Sequence, residues 1–112
     1  MKRYCLTLDL KNDPQLIKEY EALHKAVWPE ILDFIKADGI ENMVIYRYGV
    51  RMFMIMEVSD DFSFEKKRLA DAGNAKVKEW EEFTWKYQQP LEGAPEGEKW
   101  ILMNKIFELK DF

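Results

Sequence analysis

The chain has 112 residues, 17 of them Lys or Arg and 21 Asp or Glu, with a net charge of −4 when its lone histidine is neutral. At 47% hydrophobic and 34% charged it has the composition of an ordinary globular protein, and its mild acidity with no Lys/Arg stripe excludes a nucleic-acid binder. No apolar run approaches the ~20 residues that span a bilayer, and no signal-peptide core opens the chain, so no membrane role and a reducing cytoplasm are expected. Cys5 and His24 are alone of their kinds, which excludes an intrachain disulfide and a Cys- or His-based metal centre within one chain. One domain over residues 1–112 should bury roughly two thirds of its unfolded surface.

In chain order, Arg3 to Leu10 alternates: Tyr4, Leu6, Leu8 and Leu10 on one side, Cys5, Thr7 and Asp9 on the other. That is a period-two strand. Asp13 can cap the next helix and Pro14 suits its first turn. The helix carries Ile17, Tyr20, Leu23, His24, Val27, Trp28 and Ile31 at steps of three and four. Pro29 lies inside this pattern, lacks an N–H and clashes one turn back, so the helix must kink or restart there before running to Gly39. Met43–Tyr48 and Arg51–Val58 read as a hairpin about Gly49-Val50. Phe62 to Gln89 reads as one helix interrupted at Gly73-Asn74. The segment from Gln89 to Lys99, with two prolines and two glycines, is the longest loop. Trp100 to Leu109 reads as a final strand.

The order β-α-β-β-α-β predicts an α+β sandwich of ferredoxin-like type, an antiparallel sheet with helices on one face. Met43, Ile45, Phe53 and Ile55 are expected on one side of the hairpin, and Val44, Tyr46, Met52, Met54 and Met56 on the other. Apolar residues on both faces need two covers, and a second copy of the sheet across a two-fold axis can supply one. A homodimer is expected.

His24 is the outstanding chemical candidate. It is spaced four residues from Tyr20 and from Trp28, so all three are expected to share one helical face. Histidine is the side-chain type whose ordinary titration range spans neutral pH, suited to giving and taking protons. The residues alone leave open the other reading, a structural histidine hydrogen-bonded beside two aromatics. Trp80, Phe83, Trp85 and Tyr87 are denser than packing requires, and such rings suit the C–H faces of sugars. Glu30, Glu79 and Glu81 read as solvated helix-face charges.

The string Glu19-Tyr20-Glu21-Ala22-Leu23-His24-Lys25-Ala26-Val27-Trp28-Pro29-Glu30-Ile31 resembles the E-Y-x-x-x-H-x-x-x-W-P-E signature of the L-rhamnose mutarotase family. Asn42 to Tyr46 is similar to that family's second strand, Val77 to Phe83 to its aromatic helix, and Ile106 to Leu109 to its closing strand. The resemblance implies a ferredoxin-like dimer assembled as an α/β barrel, and interconversion of the α and β pyranose anomers of L-rhamnose without cofactor or metal. It makes His24 the proton donor and Tyr20 a sugar contact. Trp80 falls on the first of two adjacent pocket tryptophans, the second of which is Glu81 here. Met43 stands where many members carry a sugar-contacting tyrosine. Tyr46 joins the substrate contacts, and Trp28 and Pro29 support the site. The partner implied is a small deoxyhexose, L-rhamnose or, given Met43 and Glu81, L-fucose. Two rival readings remain at this stage: a cofactor-free ferredoxin-like monooxygenase and a non-catalytic sugar-binding dimer.

Overall fold

The computed structural model describes residues 2–112, from β1 (Lys2–Leu10) to a 3-10 turn at Leu109–Asp111. Between them lie α1 (Pro14–Leu23), α2 (Pro29–Ala37), β2 (Ile40–Tyr48), β3 (Arg51–Val58), α3 (Phe64–Ala72), α4 (Ala75–Trp85), β4 (Gln88–Gln89) and β5 (Ile101–Leu102). The strands form one antiparallel sheet in the order β2-β3-β1-β4, with β5 also on β1. That order is the ferredoxin-like α+β arrangement expected from the sequence.

The alternation in β1 decides the core. Leu6, Leu8 and Leu10 are buried, and β1 pairs with β3 so that Leu6 opposes Met54 and Leu8 opposes Met52. Paired residues of an antiparallel ladder point the same way, so this face carries Met52, Met54, Met56 and Val58 together. Ile40, Phe62 and Ile35 pack over one end of it, Tyr20 and Tyr87 over the other.

The β2–β3 register corrects the expected grouping of the hairpin side chains. Met43 opposes Met56 and Ile45 opposes Met54, on the helix side, whereas Val44 opposes Ile55 and Tyr46 opposes Phe53 on the open side. The two-residue turn at Gly49-Val50, with Gly49 at φ 60°, sets that phase. The open face of the sheet carries Cys5, Val44, Phe53 and Ile55, each half-buried. An Asp9–Arg51 ion pair and an Arg3–Glu57 pair at 3.8 Å flank these apolar residues.

Both expected helices are divided. Asn74 stops one and caps the next, its side-chain oxygen accepting from the N–H groups of Lys76 at 2.9 Å and Val77 at 3.1 Å. Asp13 caps α1 in the same way through Gln15 and Leu16. The helix expected to reach Gln89 ends at Trp85, because Pro90 pushes the residue before it toward extended backbone and both glutamines pair with β1. Glycine is required at position 39, where φ is 92° and a Cβ would meet Ser59 Oγ at 2.7 Å.

The final strand is much shorter than Trp100–Leu109. Gln88–Gln89 takes the edge of β1 beside Asp9 and Leu10, leaving Leu6 and Thr7 for Ile101–Leu102. The ladder ends with Met103 N–H donating to Cys5 O at 2.8 Å, and Ile106, Phe107, Leu109 and Phe112 lie exposed beyond it. No helix among the described residues is long and apolar enough to cross a membrane.

Leu8, fully buried between the helices and the centre of the sheet, should be the costlier of two contrasting positions. Leu8→Ala should lose about 2–5 kcal/mol in urea unfolding. Asn74→Ala, which removes only a cap, should lose about 1 kcal/mol. Equal losses at the two positions would contradict this placement of the core.

Candidate functional site

The sequence pattern places a break at Pro29, and the structure opens it earlier. α1 ends at Leu23 with His24 as its C-cap, and Lys25 N–H and Ala26 N–H fall back on Ala22 O and Leu23 O at 3.1 and 3.3 Å. The helix restarts at Pro29, with Ile31 and Leu32 both donating to Trp28 O. Trp28 is therefore not on a helical face with His24, contrary to the continuous-helix expectation. It reaches the site through the intervening turn.

The cap position fixes the imidazole. His24 Nδ1 lies 2.9 Å from the backbone oxygen of Tyr20, one of the carbonyls left without a partner at the helix end. A carbonyl only accepts, so Nδ1 carries the hydrogen and Nε2 is the nitrogen left for proton exchange. The half-buried imidazole sits 4.4 Å from the Tyr20 ring and 6.0 Å from that of Trp80, between centroids. Trp28 packs edge-on to Trp80 at 5.0 Å and stacks on Phe83 at 5.7 Å, with Lys76 over its outer face. These rings come from α1, the 24–28 turn and α4, three segments that meet over the Leu8–Leu10 end of the sheet.

Tyr20 is buried and its hydroxyl oxygen accepts from Gln88 Nε2 at 3.1 Å. Burial raises its pKa above 10.0, the Gln88 hydrogen bond opposes that rise, and the charge of Glu81 adds to it. The phenol is thus a proton-bearing group across the neutral range. Tyr87, packed against Tyr20 at 5.9 Å, donates to Glu19 Oε1 at 3.3 Å.

The other sequence candidates sit elsewhere. Met43 is half-buried in the core against the Leu6–Met54–Met56 cluster. Tyr46 is 61% exposed and belongs to the open face of the sheet, across from the helices and His24. Glu81 turns toward the loop over 90–100, where Lys99 Nζ meets its carboxylate at 3.0 Å and its backbone oxygen at 2.7 Å. Lys99 also donates to Thr84 Oγ1 at 3.0 Å and lies over Trp85, and burial lowers its pKa against the pull of Glu81. Gln88 and Lys99 were not singled out from the sequence. The polar Gln-Gln before Pro90 signals a strand end, and nothing in its spacing marks one amide as buried.

A surface cleft of about 500 Å³ lies along α1 between Lys18, Glu21, Lys25 and Arg47, and His24, Tyr20 and Trp80 are absent from its walls. Among the described residues no group of three or more His, Cys, Asp or Glu side chains converges to hold a metal ion. The arrangement offers one exchangeable imidazole nitrogen, one protonated phenol and indole faces.

Residues 3–109 match the family described as L-rhamnose mutarotase. The chain is 38% identical over 113 residues to the L-fucose mutarotase of Xanthomonas campestris pv. campestris, covering 99% of this chain and 90% of that protein. Its fold is similar to that of an L-rhamnose mutarotase from Formosa agariphila, with a TM-score of 0.72, 21% identity, and 97% and 99% of the two chains covered. A dimeric ferredoxin-like protein from an uncultured marine organism shares the fold at a TM-score of 0.56 and 14% identity, with 95% of each chain covered. The match of nearly the whole chain to one family, and the long alignment with a curated mutarotase, place it: this chain belongs to the L-rhamnose mutarotase family.

Proposed function

We propose that this protein is a cytoplasmic, homodimeric aldose mutarotase that interconverts the α and β pyranose anomers of a 6-deoxy-L-hexose. His24 is the proton donor of this reading. The observation that supports it most directly is the Nδ1 contact to Tyr20 O, which leaves Nε2 as the free nitrogen among sugar-compatible rings. L-fucose is the favoured substrate over L-rhamnose, on the strength of the relative that shares 38% of its residues over 99% of this chain.

The chemistry needs only proton movement. As the imidazolium, with Nδ1–H on the Tyr20 carbonyl and a second proton on Nε2, His24 gives the Nε2 proton to the ring oxygen while the anomeric hydroxyl loses its proton to water. The bond between the anomeric carbon and the ring oxygen breaks, leaving an open-chain aldehyde. Rotation about the adjacent carbon–carbon bond presents the other carbonyl face, and the ring hydroxyl adds back as the two protons return. Atoms and electrons balance without an oxidant. One placed imidazole contributes roughly 100- to 10,000-fold to such a step. Tyr20, held protonated by burial, donates a hydrogen bond to the sugar, and the Trp80 indole stacks on its C–H face. Trp28 and Pro29 hold the turn that carries the imidazole. Glu81 acts through its charge and its grip on Lys99, Met43 through packing under α2, and Tyr46 through the face that the second protomer covers.

His24→Ala should fold normally and lose anomer exchange toward the solvent rate, measured by NMR saturation transfer between the α and β signals of L-fucose and L-rhamnose. His24→Asn should behave likewise, since an amide hydrogen-bonds but does not shuttle protons. Exchange persisting in either variant would make the imidazole structural. Sugar-induced thermal shifts with no exchange by the wild type would reduce the function to binding.

The open face supplies the dimer test. Sedimentation at micromolar concentration should give about twice the 13.4 kDa of one chain. Phe53→Glu, which places a charge on that face, should give the monomer while leaving the helix side of the sheet intact. A wild-type monomer would remove the second cover from this reading.

A further inference from the structure

Gln88 is a buried side chain that neither packing nor proton transfer explains. It is 4% exposed and its Nε2 donates to Tyr20, yet its Oε1 is fully buried and has no hydrogen-bond partner among the described residues. The strand partner of Gln88 is Leu10, and the side chains around Tyr20 on this side of the sheet are Leu8, Met52 and Tyr87. An apolar residue would satisfy such a place, whereas an unpaired amide oxygen there carries its desolvation penalty unmatched.

The hydrogen-bonding capacities of the pair point to a ligand. Gln88 N–H occupies a lone pair of the Tyr20 oxygen, so the phenol's own proton is not used on the amide. What remains is one donor, Tyr20 O–H, next to one acceptor, Gln88 Oε1. An ether or carbonyl oxygen could use only the donor. A hydroxyl group uses both, accepting from the phenol and donating to the amide. The imidazole is adjacent, 4.4 Å from the Tyr20 ring and anchored on the Tyr20 carbonyl, so a group bound here is held at the reacting end of the sugar. Of the rings bordering Tyr20, His24 is half-buried and Tyr87 is buried, which puts entry on the imidazole side.

We propose that Gln88 is a specificity-determining residue: with Tyr20 it forms a two-way hydrogen-bonding site for one non-anomeric hydroxyl of the deoxyhexose. The inference rests on the mutarotase reading and sharpens it. It assigns to Gln88 the choice among sugars that differ in the presence or orientation of that hydroxyl. A site that buries polar groups for a hydroxyl discriminates against the analogue lacking it far more strongly than an apolar pocket does.

The test compares wild type, Gln88→Met and Tyr20→Phe, each with L-fucose and its single-position deoxy and deoxyfluoro analogues, by NMR anomer exchange resolved into kcat and KM. For one analogue, the wild type should lose about 10- to 100-fold in kcat/KM relative to L-fucose. Gln88→Met should show a similar loss with L-fucose itself and little further loss with that analogue, so that the two effects do not add. Fluorine accepts but does not donate, so the fluoro analogue should match L-fucose in Gln88→Met and fall behind it in wild type. Tyr20→Phe should identify the same ring position. Additive losses at every position, or different positions for the two variants, would overturn the assignment. Wild-type enzyme with no exchange of any deoxyhexose would overturn the functional reading and this inference with it. A second readout does not depend on activity. The Gln88 hydrogen bond lowers the Tyr20 pKa against the effect of burial. Gln88→Met should therefore move to higher pH the tyrosinate absorbance that Tyr20→Phe abolishes, and an unmoved titration would show that the bond is not made.

Discussion

The antiparallel register of β1 on β3 is the constraint from which the rest follows. With Leu8 opposite Met52, one face of the sheet becomes a continuous apolar floor and the other is left with Cys5, Thr7, Phe53 and Ile55. A slip of one residue would exchange the two faces, exposing the leucines and burying Asp9 beneath the helices. The helices are amphipathic only in relation to this floor. Tyr20 from α1 and Tyr87 from the turn after α4 meet because both cover the Leu8–Leu10 end of it. The site is thus a consequence of where the sheet puts the two helix ends.

Position 24 shows how a helix terminus fixes the orientation of a side chain. A helix that continued to Trp28 would satisfy the Tyr20 carbonyl with the His24 backbone N–H and leave the imidazole free to rotate. Ending the helix at Leu23 gives that carbonyl to the side chain instead, which selects one tautomer and one ring orientation. The local cost of stopping a helix is offset by the restart at Pro29, whose missing N–H is harmless in a first turn. Trp28 gains from the same break. Off the helix, it lies flat against Phe83 and edge-on to Trp80, contacts that tie the turn to α4.

Much of this was legible in the residues. The period-two alternation of Tyr4 to Leu10, the caps at Asp13 and Asn74 and the Gly49 turn located most elements, because each is a local preference the tertiary structure does not oppose. The spacing of Tyr20 and His24 correctly placed the two rings together. Three further features were not legible for non-local reasons, beside the helix break that moves Trp28 off the His24 face. The hairpin faces depend on which residues of β2 and β3 oppose one another, and an apolar run of methionines and aromatics carries no clear phase. The last strand was overestimated because its apolar residues resemble a ladder, while the edge of β1 was already part-occupied by β4. Gln88 was invisible because its burial arises from the meeting of an edge strand with α1, 68 residues apart in sequence.

Glu81 and Lys99 complete the electrostatic logic of the site. Where the family resemblance leads one to expect a second indole, α4 presents a carboxylate, and the loop over 90–100 answers it with an ammonium that also covers Trp85 and bonds to Thr84. Burial opposes the charge on Lys99, so the ion pair with Glu81 holds its proton in place against desolvation. The same carboxylate acts across the site in the direction of burial, both raising the Tyr20 pKa, with Gln88 alone opposing them. A negative charge on an aromatic wall therefore serves two ends. It fastens the long loop to α4, and it adds to the effect of burial in holding the proton on the Tyr20 phenol.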